Sequence, residues 1–439
     1  MFVAEPPASG VLSRQLILSL YLPAAMLALG ESLVTPIIPL FTKQFGVGFA
    51  SASLVFVMMN VGGLVAAFST GYLMDTIGRR PVLLAGPLLM AVGSLMTPFS
   101  GSFTALLGWR FVVGAAHQTW QQARLAIITD TAQYGQRARQ LQWMMGVSRA
   151  GQLFGPSVGG FSATAFGLWV PFVGLAGLVC ASIIPSYTLI EETAPGRRGR
   201  TDEAEAALTQ QGWKPLLAYL CTVQMLTFFV IQFCATLCRG GQERGTLNLY
   251  AAYAFDMGPQ RLGLLNTVAM VFALPVPFLT GYLMDRFGRR WVIVPGFTGY
   301  ALAVILMSLT AFFRLPVTWF LGTYVLVLVA QGPIGGVMQV LGSDLAPPFA
   351  RGRFFAIWRP VAQLGATVTP AIFAFIAGHA GYGYGFLYLA GCALVVALGV
   401  GTVLGDTLAR HDRADAAWGV GRGGSHSARG VREDKPGVL

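Results

Sequence analysis

Apolar residues run in long blocks along this chain, separated by short polar clusters. Blocks of roughly 20 residues, the length a helix needs to cross a bilayer, recur at 15–41, 50–73, 81–99, 103–130, 140–166, 168–190, 214–238, 260–283, 291–313, 316–344, 352–378 and 382–404. The pattern predicts an all-α membrane protein with twelve transmembrane helices. Several blocks contain Gly and Pro, which membrane helices tolerate when neighbours or water satisfy the freed backbone. A polar stretch from Glu191 to Gly212 parts the sixth block from the seventh and reads as a linker. The expected layout is a six-helix bundle over 1–190, a linker over 191–212, a second bundle over 213–405 and a disordered, hydrophilic tail over 406–439.

The polar clusters repeat. Gly71 to Arg80 reads GYLMDTIGRR, and 210 positions later Gly281 to Arg290 reads GYLMDRFGRR, with eight of ten residues identical. A second pair follows the fourth and tenth helices: Asp130 with Arg137 and Arg139, and Asp344 with Arg351 and Arg353. Arg149 and Arg359 in the next helices are again 210 residues apart. The chain is thus an internal duplication. Because each half has an even number of spans, the copies share one orientation, the parallel-repeat arrangement in which a substrate path runs between two lobes.

Composition agrees with lipid as the main solvent. Hydrophobic residues make up 55% of the chain and charged residues 11%, where soluble domains run near a quarter charged. The net charge of +11 does not indicate nucleic-acid binding, because most of the Lys and Arg fall in segments on one side of the expected spans. That asymmetry places both termini in the cytoplasm, and the excess of Arg over Lys, 26 to 3, suggests a GC-rich genome and fits a bacterial inner membrane. No disulfide framework is readable in the five cysteines. Cys234 and Cys238 share a helix face without His or carboxylate neighbours, so no metal is expected. No nucleotide-binding motif is present, so neither ATP nor any cofactor is expected to supply energy.

Charges inside the blocks need a purpose, because they are costly in hydrocarbon. Arg110, His117 and Arg124 recur every seven residues on the fourth helix, with Gly114 and Gln121 on the same side. Such a stripe must face a water-filled cavity or other helices. Glu31 is the acid deep in the first helix, about 15 Å inward from its outer end near Phe41 at 1.5 Å per residue. Arg110 lies at a compatible depth, about 10 Å in from the outer start of its helix. A carboxyl between a drying cavity, which favours its neutral form, and a guanidinium, which favours its charged form, can take up and release a proton. A permanent Glu31–Arg110 ion pair is the structural alternative. His117 is placed to share the proton. In the second half, Gln224, Gln232, Asn266, Gln331 and Gln339, with Phe228, Phe229, Phe233 and Tyr324, offer hydrogen bonds and aromatic surface but no charge.

The duplicated turn resembles the loop 2–3 signature of the major facilitator superfamily and its partner between helices 8 and 9. The resemblance covers nearly the whole chain and implies two pseudo-symmetric six-helix bundles around a central cavity. It also implies that Gly71, Asp75, Gly78 and Arg79, with Gly281, Asp285, Gly288 and Arg289, form a cytoplasmic latch. Asp75 would then meet Arg359 on helix 11 and Asp285 would meet Arg149 on helix 5, with Asp130 and Asp344 at the same gate. Gly151, Gly155, Pro156, Gly159 and Gly160 on helix 5 resemble the antiporter signature of proton-coupled drug exporters, and Thr35 to Pro39 resembles their helix 1 ending. Arg110 with Gly114 resembles the family's helix 4 motif, whose Arg is associated with proton transfer.

The expected function is proton-driven export of a small, hydrophobic molecule. Glu31, Arg110 and His117 would couple the proton, and Gln121, Arg124, Gln224, Phe228, Asn266 and Gln331 would line the substrate cavity. The expected partners are the substrate, protons and the bilayer, with the chain acting as a monomer. Uptake of an anionic metabolite is the alternative, favoured by the excess of buried arginine over Glu31. A transport-dead scaffold or sensor is a third.

Overall fold

The computed structural model describes residues 17–131, 137–189, 213–243, 245–288, 290–347 and 351–402. The first half contains α1 (Ile17–Lys43, broken at 35–37), α2 (Phe49–Thr76), α3 (Arg79–Met96), α4 (Phe103–Thr131), α5 (Arg137–Phe166) and α6 (Val170–Leu189). The second contains α7 (Trp213–Leu220, Val223–Glu243 and Thr246–Ala254) and α8 (Pro259–Ala273 and Val276–Phe287). It continues with α9 (Arg290–Phe312), α10 (Val317–Asp344), α11 (Arg351–His379) and α12 (Tyr382–Thr402).

Among the described residues, nine helices are long and apolar enough to cross a membrane. The passages that fall short are α4, α5 and α7. Each has a sequence reason: the polar stripe on α4, the Gly- and Ser-rich α5, and the interruption of α7. A helix that packs against protein or a wet cavity need not be apolar all round. Outward faces elsewhere carry exposed aromatics that suit lipid, with Phe68 and Tyr72 on α2 matched by Phe278 and Tyr282 on α8.

Helix packing repeats the sequence duplication. In the first half α2 packs on α4, α1 on α5 and α6, and α3 on α4 and α6. Six helices later the same pairings return, α8 on α10, α7 on α11 and α12, and α9 on α10 and α12. The halves join through α5 against α8 and α2 against α11, a pair of contacts that the pseudo-two-fold exchanges.

Helix α7 departs from the expected span of 214–238. It stays helical to Glu243, then turns at Gly245, whose φ of +97° suits a residue without a side chain. The final piece, Thr246–Ala254, is almost wholly buried. Tyr300, halfway along α9, donates to the carbonyl of Cys238 at 3.0 Å, so neighbouring Arg239 lies near mid-depth rather than in an outer loop. The linker at 191–212 and the tail from 406 lie outside the described residues.

Candidate functional site

The site is built where α1 breaks. Pro36 and Pro39 cannot donate to the helix ladder, and α1 turns at 35–37, one turn beyond Glu31. Both the amide and the hydroxyl of Thr35 donate back to the Glu31 carbonyl, at 3.1 and 2.9 Å. The Glu31 carboxylate meets His117 of α4 directly, Oε1 against Nδ1. These side chains are 23% and 20% exposed. Arg110 and Arg124 are more deeply buried, at 3% and 6% exposed.

A polar chain continues along α4 from this pair. Gln121 Nε2 lies 3.2 Å from His117 Nε2, and Arg124 Nη2 donates to Gln121 Oε1 at 2.6 Å. The Arg124 guanidinium also stacks 4.1 Å over the Trp120 ring. Among the described residues, its Nε and Nη1 have no hydrogen-bond partner, and neither do those of Arg110. Both arginines lie within electrostatic reach of Glu31.

Arg110 turns the other way. Its Nη2 points at the Met59 sulfur of α2, 3.0 Å away. Gly114 makes this possible, because a side chain there would collide with the Met59 carbonyl. The direct partner of Glu31 is therefore His117 and not Arg110.

Helix α5 holds α1 and the second half together with one run of small residues. Gly151, Gly155 and Gly159 face α1 at Ala25, at Leu29 and Ser32, and at Leu33, closer than a Cβ allows. The adjacent face meets α8, with Gly160 against Pro259 and the Pro156 carbonyl against Gly263. Ser157 and Thr267 share a hydroxyl hydrogen bond of 2.8 Å across the same seam. The segment thus sits between the helix bearing Glu31 and the opposite half.

Other contacts between the halves gather toward the Lys43 end. Lys43 pairs with Asp256 and donates to the Ala252 carbonyl at 3.3 Å. Lys43 also holds the Asp256 carboxyl below the usual carboxylate range, first by hydrogen bonding and then by charge, so the contact is an ion pair at neutral pH. Tyr253 donates to the Val47 carbonyl at 3.0 Å, Phe49 stacks edgewise on Tyr382, and Asn60 reaches the Ala366 carbonyl at 3.3 Å.

At the opposite end, both copies of the repeated turn take the same backbone form. Gly78 has φ +107° and Gly288 has φ +88°, conformations that favour glycine. Gly71 and Gly281 have nothing within 4 Å of the position a side chain would take, so they make no close helix approach. Arg149 is exposed. The side chains of Asp75, Asp285, Arg359, Arg289, Asp130 and Asp344 lie outside the described set, and both expected latch contacts fall there. The turns have a further role that sequence reasoning missed. Arg80 donates to the Tyr187 carbonyl at 2.6 Å, at the end of α6, and Arg290 donates to the Gly401 carbonyl at 2.8 Å, at the end of α12. A cation on the last carbonyls of a helix satisfies them and complements the helix dipole. The 210-residue spacing of these two arginines was the available signal.

The second half brings fewer of the expected residues together. Asn266 exchanges amide hydrogen bonds with Asn248 at 2.7 and 3.3 Å, and Tyr324 donates to both, at 2.9 and 3.0 Å. This closed network ties the last piece of α7 to α8 and α10. Phe228 is fully buried and stacked on Phe354, so it belongs to the packing of α7 on α11 and not to a cavity wall. Gln224 and Gln331 are half-buried. Among the described residues, the Nε2 of Gln331 and the Oε1 of Gln232 have no partner. Among the described residues no cluster of His, Cys, Asp and Glu could hold a metal.

Comparison with known proteins accounts for the duplicated fold. A match to the Major Facilitator Superfamily covers residues 20–241 and 228–423. The chain belongs to the Major Facilitator Superfamily. Members of this superfamily are transporters, and the chain is a multi-pass membrane protein. A similar protein is the quinolone resistance protein NorA of Staphylococcus aureus (strain MRSA252), 23% identical over 269 residues, 61% of this chain and 66% of that protein. The match thus spans just under two thirds of that relative's length. The class C tetracycline resistance protein of Escherichia coli is 26% identical over 314 residues, 70% of this chain and 76% of that protein. Among solved structures, a D-xylose-proton symporter superposes with a TM-score of 0.69 at 17% identity, covering 88% of this chain and 96% of its own. A POT family transporter in complex with a thioalcohol-conjugated peptide gives 0.70 at 12% identity, covering 87% and 94%. Within the superfamily fold, the Glu31–His117 contact lies between the first and fourth helices of the first half.

Proposed function

We propose that the chain exports small amphipathic molecules across the cytoplasmic membrane in exchange for protons. The observation that carries this is the Glu31–His117 contact, a carboxylate against an imidazole inside two membrane helices, partly open and beside the small-residue seam between the halves. The pair takes a proton from one side and gives it up to the other as the halves rock. The resistance named in both relatives supports export, and the Gly and Pro spacing of α5 supports exchange.

The excess of basic residues puts the Gly78 end in the cytoplasm, with both termini, the linker and the tail on that side. Asp75 with Arg359, and Asp285 with Arg149, latch that end when the Lys43 end opens. The chain works as a monomer, without ATP. The unpartnered donors of Arg110 and Arg124 favour a second reading, uptake of an anionic metabolite together with protons.

Everted membrane vesicles with an acid interior decide between them. They are expected to accumulate an amphipathic dye when the chain is present and to release it when a protonophore collapses the gradient. Accumulation only in right-side-out vesicles, driven by inward proton flow, would establish uptake instead. No movement in either preparation would leave a membrane scaffold.

A further inference from the structure

Four side chains on α1 and α4 form a line whose hydrogen-bond direction is fixed from one end. Arg124 is a donor only. The Gln121 atom facing it at 2.6 Å must therefore be the carbonyl oxygen Oε1, since a reversed amide would set its NH2 against the guanidinium. The Gln121 NH2 then faces His117 Nε2 at 3.2 Å, and this nitrogen must accept. The imidazole proton consequently sits on Nδ1, where it donates to Glu31. The neutral tautomer of His117 is thus set by Arg124 through Gln121.

Adding one proton reverses part of this line. An imidazole is the more basic partner of an imidazole–carboxylate pair in water, so the proton goes to the free nitrogen, Nε2. Nδ1–H stays on Glu31, giving an imidazolium–carboxylate pair. Nε2–H is now a donor facing the donor NH2 of Gln121. The conflict is relieved when the amide turns over, so that Oε1 accepts from Nε2–H. Its NH2 then faces Arg124, which loses its hydrogen bond to Gln121.

We propose that Gln121 is a positioning residue that converts protonation of the Glu31–His117 pair into release of Arg124, about 10 Å along α4 toward the Gly78 end. The observation behind the proposal is the fixed donor order Arg124, Gln121, His117, Glu31. The proposal rests on the proton-coupled reading of the same site and moves Gln121 from the cavity wall into the coupling. Among the described residues, the charged group paired with His117 is Glu31. Helix α2 brings Met59 to Arg110, α3 brings Arg79 and Arg80 at the far Gly78 end, α1 brings Glu31, and Arg149 on α5 is exposed. Arg124 is also prepared to move. Its stack on Trp120 leaves Nε and Nη1 without partners, so Gln121 is what orients the fork.

Labelling by phenylglyoxal, read by mass spectrometry on the full chain in nanodiscs, tests this. Arg124 modification is normalised to exposed Arg261 in the same sample, which removes the reagent's own pH dependence. In the wild type, the Arg124 to Arg261 ratio is expected to rise about tenfold as pH is lowered and the pair takes up a proton, the factor for losing a charge-assisted hydrogen bond. Gln121→Met leaves Arg124 without its acceptor, so the ratio is high at every pH. Gln121→Glu accepts from both neighbours, so the ratio is low at every pH, and the pH profile of dye export shifts to higher pH. A flat wild-type ratio, or a Gln121→Met ratio that still follows pH, overturns the proposal. Labelling needs no substrate, so the two ideas fail separately. A pH-dependent ratio without gradient-driven export removes the proposed function and keeps the switch, whereas export with a flat ratio does the reverse.

Discussion

Glu31→Gln is expected to abolish gradient-driven export while sparing the fold. The amide keeps the size of the carboxylate and can still accept from His117 Nδ1, so α1 stays packed on α5 through Gly151, Gly155 and Gly159. What it cannot do is form an ion pair with an imidazolium or carry a proton across. Export driven by a pH gradient should fall about a hundredfold, the low end of what a positioned proton-transfer group contributes. Substrate exchange at equal pH on both sides requires only the rocking step and should persist. The measurement is dye transport in vesicles under both regimes, with thermal melting as the control for folding. Export that still follows the gradient in Glu31→Gln would remove Glu31 from the coupling.

The second large effect separates two adjacent glycines. A side chain at Gly159 would meet the backbone of Leu33 on α1, within one half. One at Gly160 would meet the backbone of Pro259 on α8, in the other half. Backbone cannot yield as a flexible side chain does, and overpacking of this kind costs about 1–3 kcal/mol. Gly159→Val should therefore lower melting temperature and yield, because it pries apart helices that stay together throughout the cycle. Gly160→Val should leave each half folded and oppose closure at the Lys43 end. Its expected signature is a nearly unchanged melting temperature, lost transport, and faster labelling of a cysteine placed at Gln44. Equal losses of stability in both variants would mean that the α5–α8 seam does not open.

Much of the fold was legible because lipid as solvent leaves few choices. A backbone in hydrocarbon must satisfy itself as helix, and most blocks read from the sequence coincide with observed helices. α7 was misjudged for a physical reason. Arg239, Glu243 and Arg244 look like the end of a span, yet the helix continues through Glu243 and resumes after Gly245, inside the protein where neighbours rather than lipid surround it. The site was legible in its members and not in its pairing. Depth arithmetic put Glu31 level with Arg110, but rise along a helix says nothing about which neighbour stands at each level. Arg110 is beside Met59 because Gly114 draws α2 close, and His117 is beside Glu31 because α5 draws α1 inward. Phe228 read as a cavity residue because an aromatic on a polar-flanked face suits either role, and only the packing of Phe354 decides. The capping by Arg80 and Arg290 was written in the repeat but needed the ends of α6 and α12 to be seen.

Two spin-labelled pairs, measured by pulsed electron resonance in a cysteine-free background, test the rocking of the two halves most directly. Gln44 with Gln260 reports on the Lys43 end, and Ile77 with Phe287 on the Gly78 end; all four side chains are exposed. Across a shift in pH or the addition of a transported dye, the first distance should lengthen as the second shortens, with populations exchanging between two states. Distances that stay fixed at both ends, or that lengthen together, would contradict a carrier that opens one side only as it closes the other.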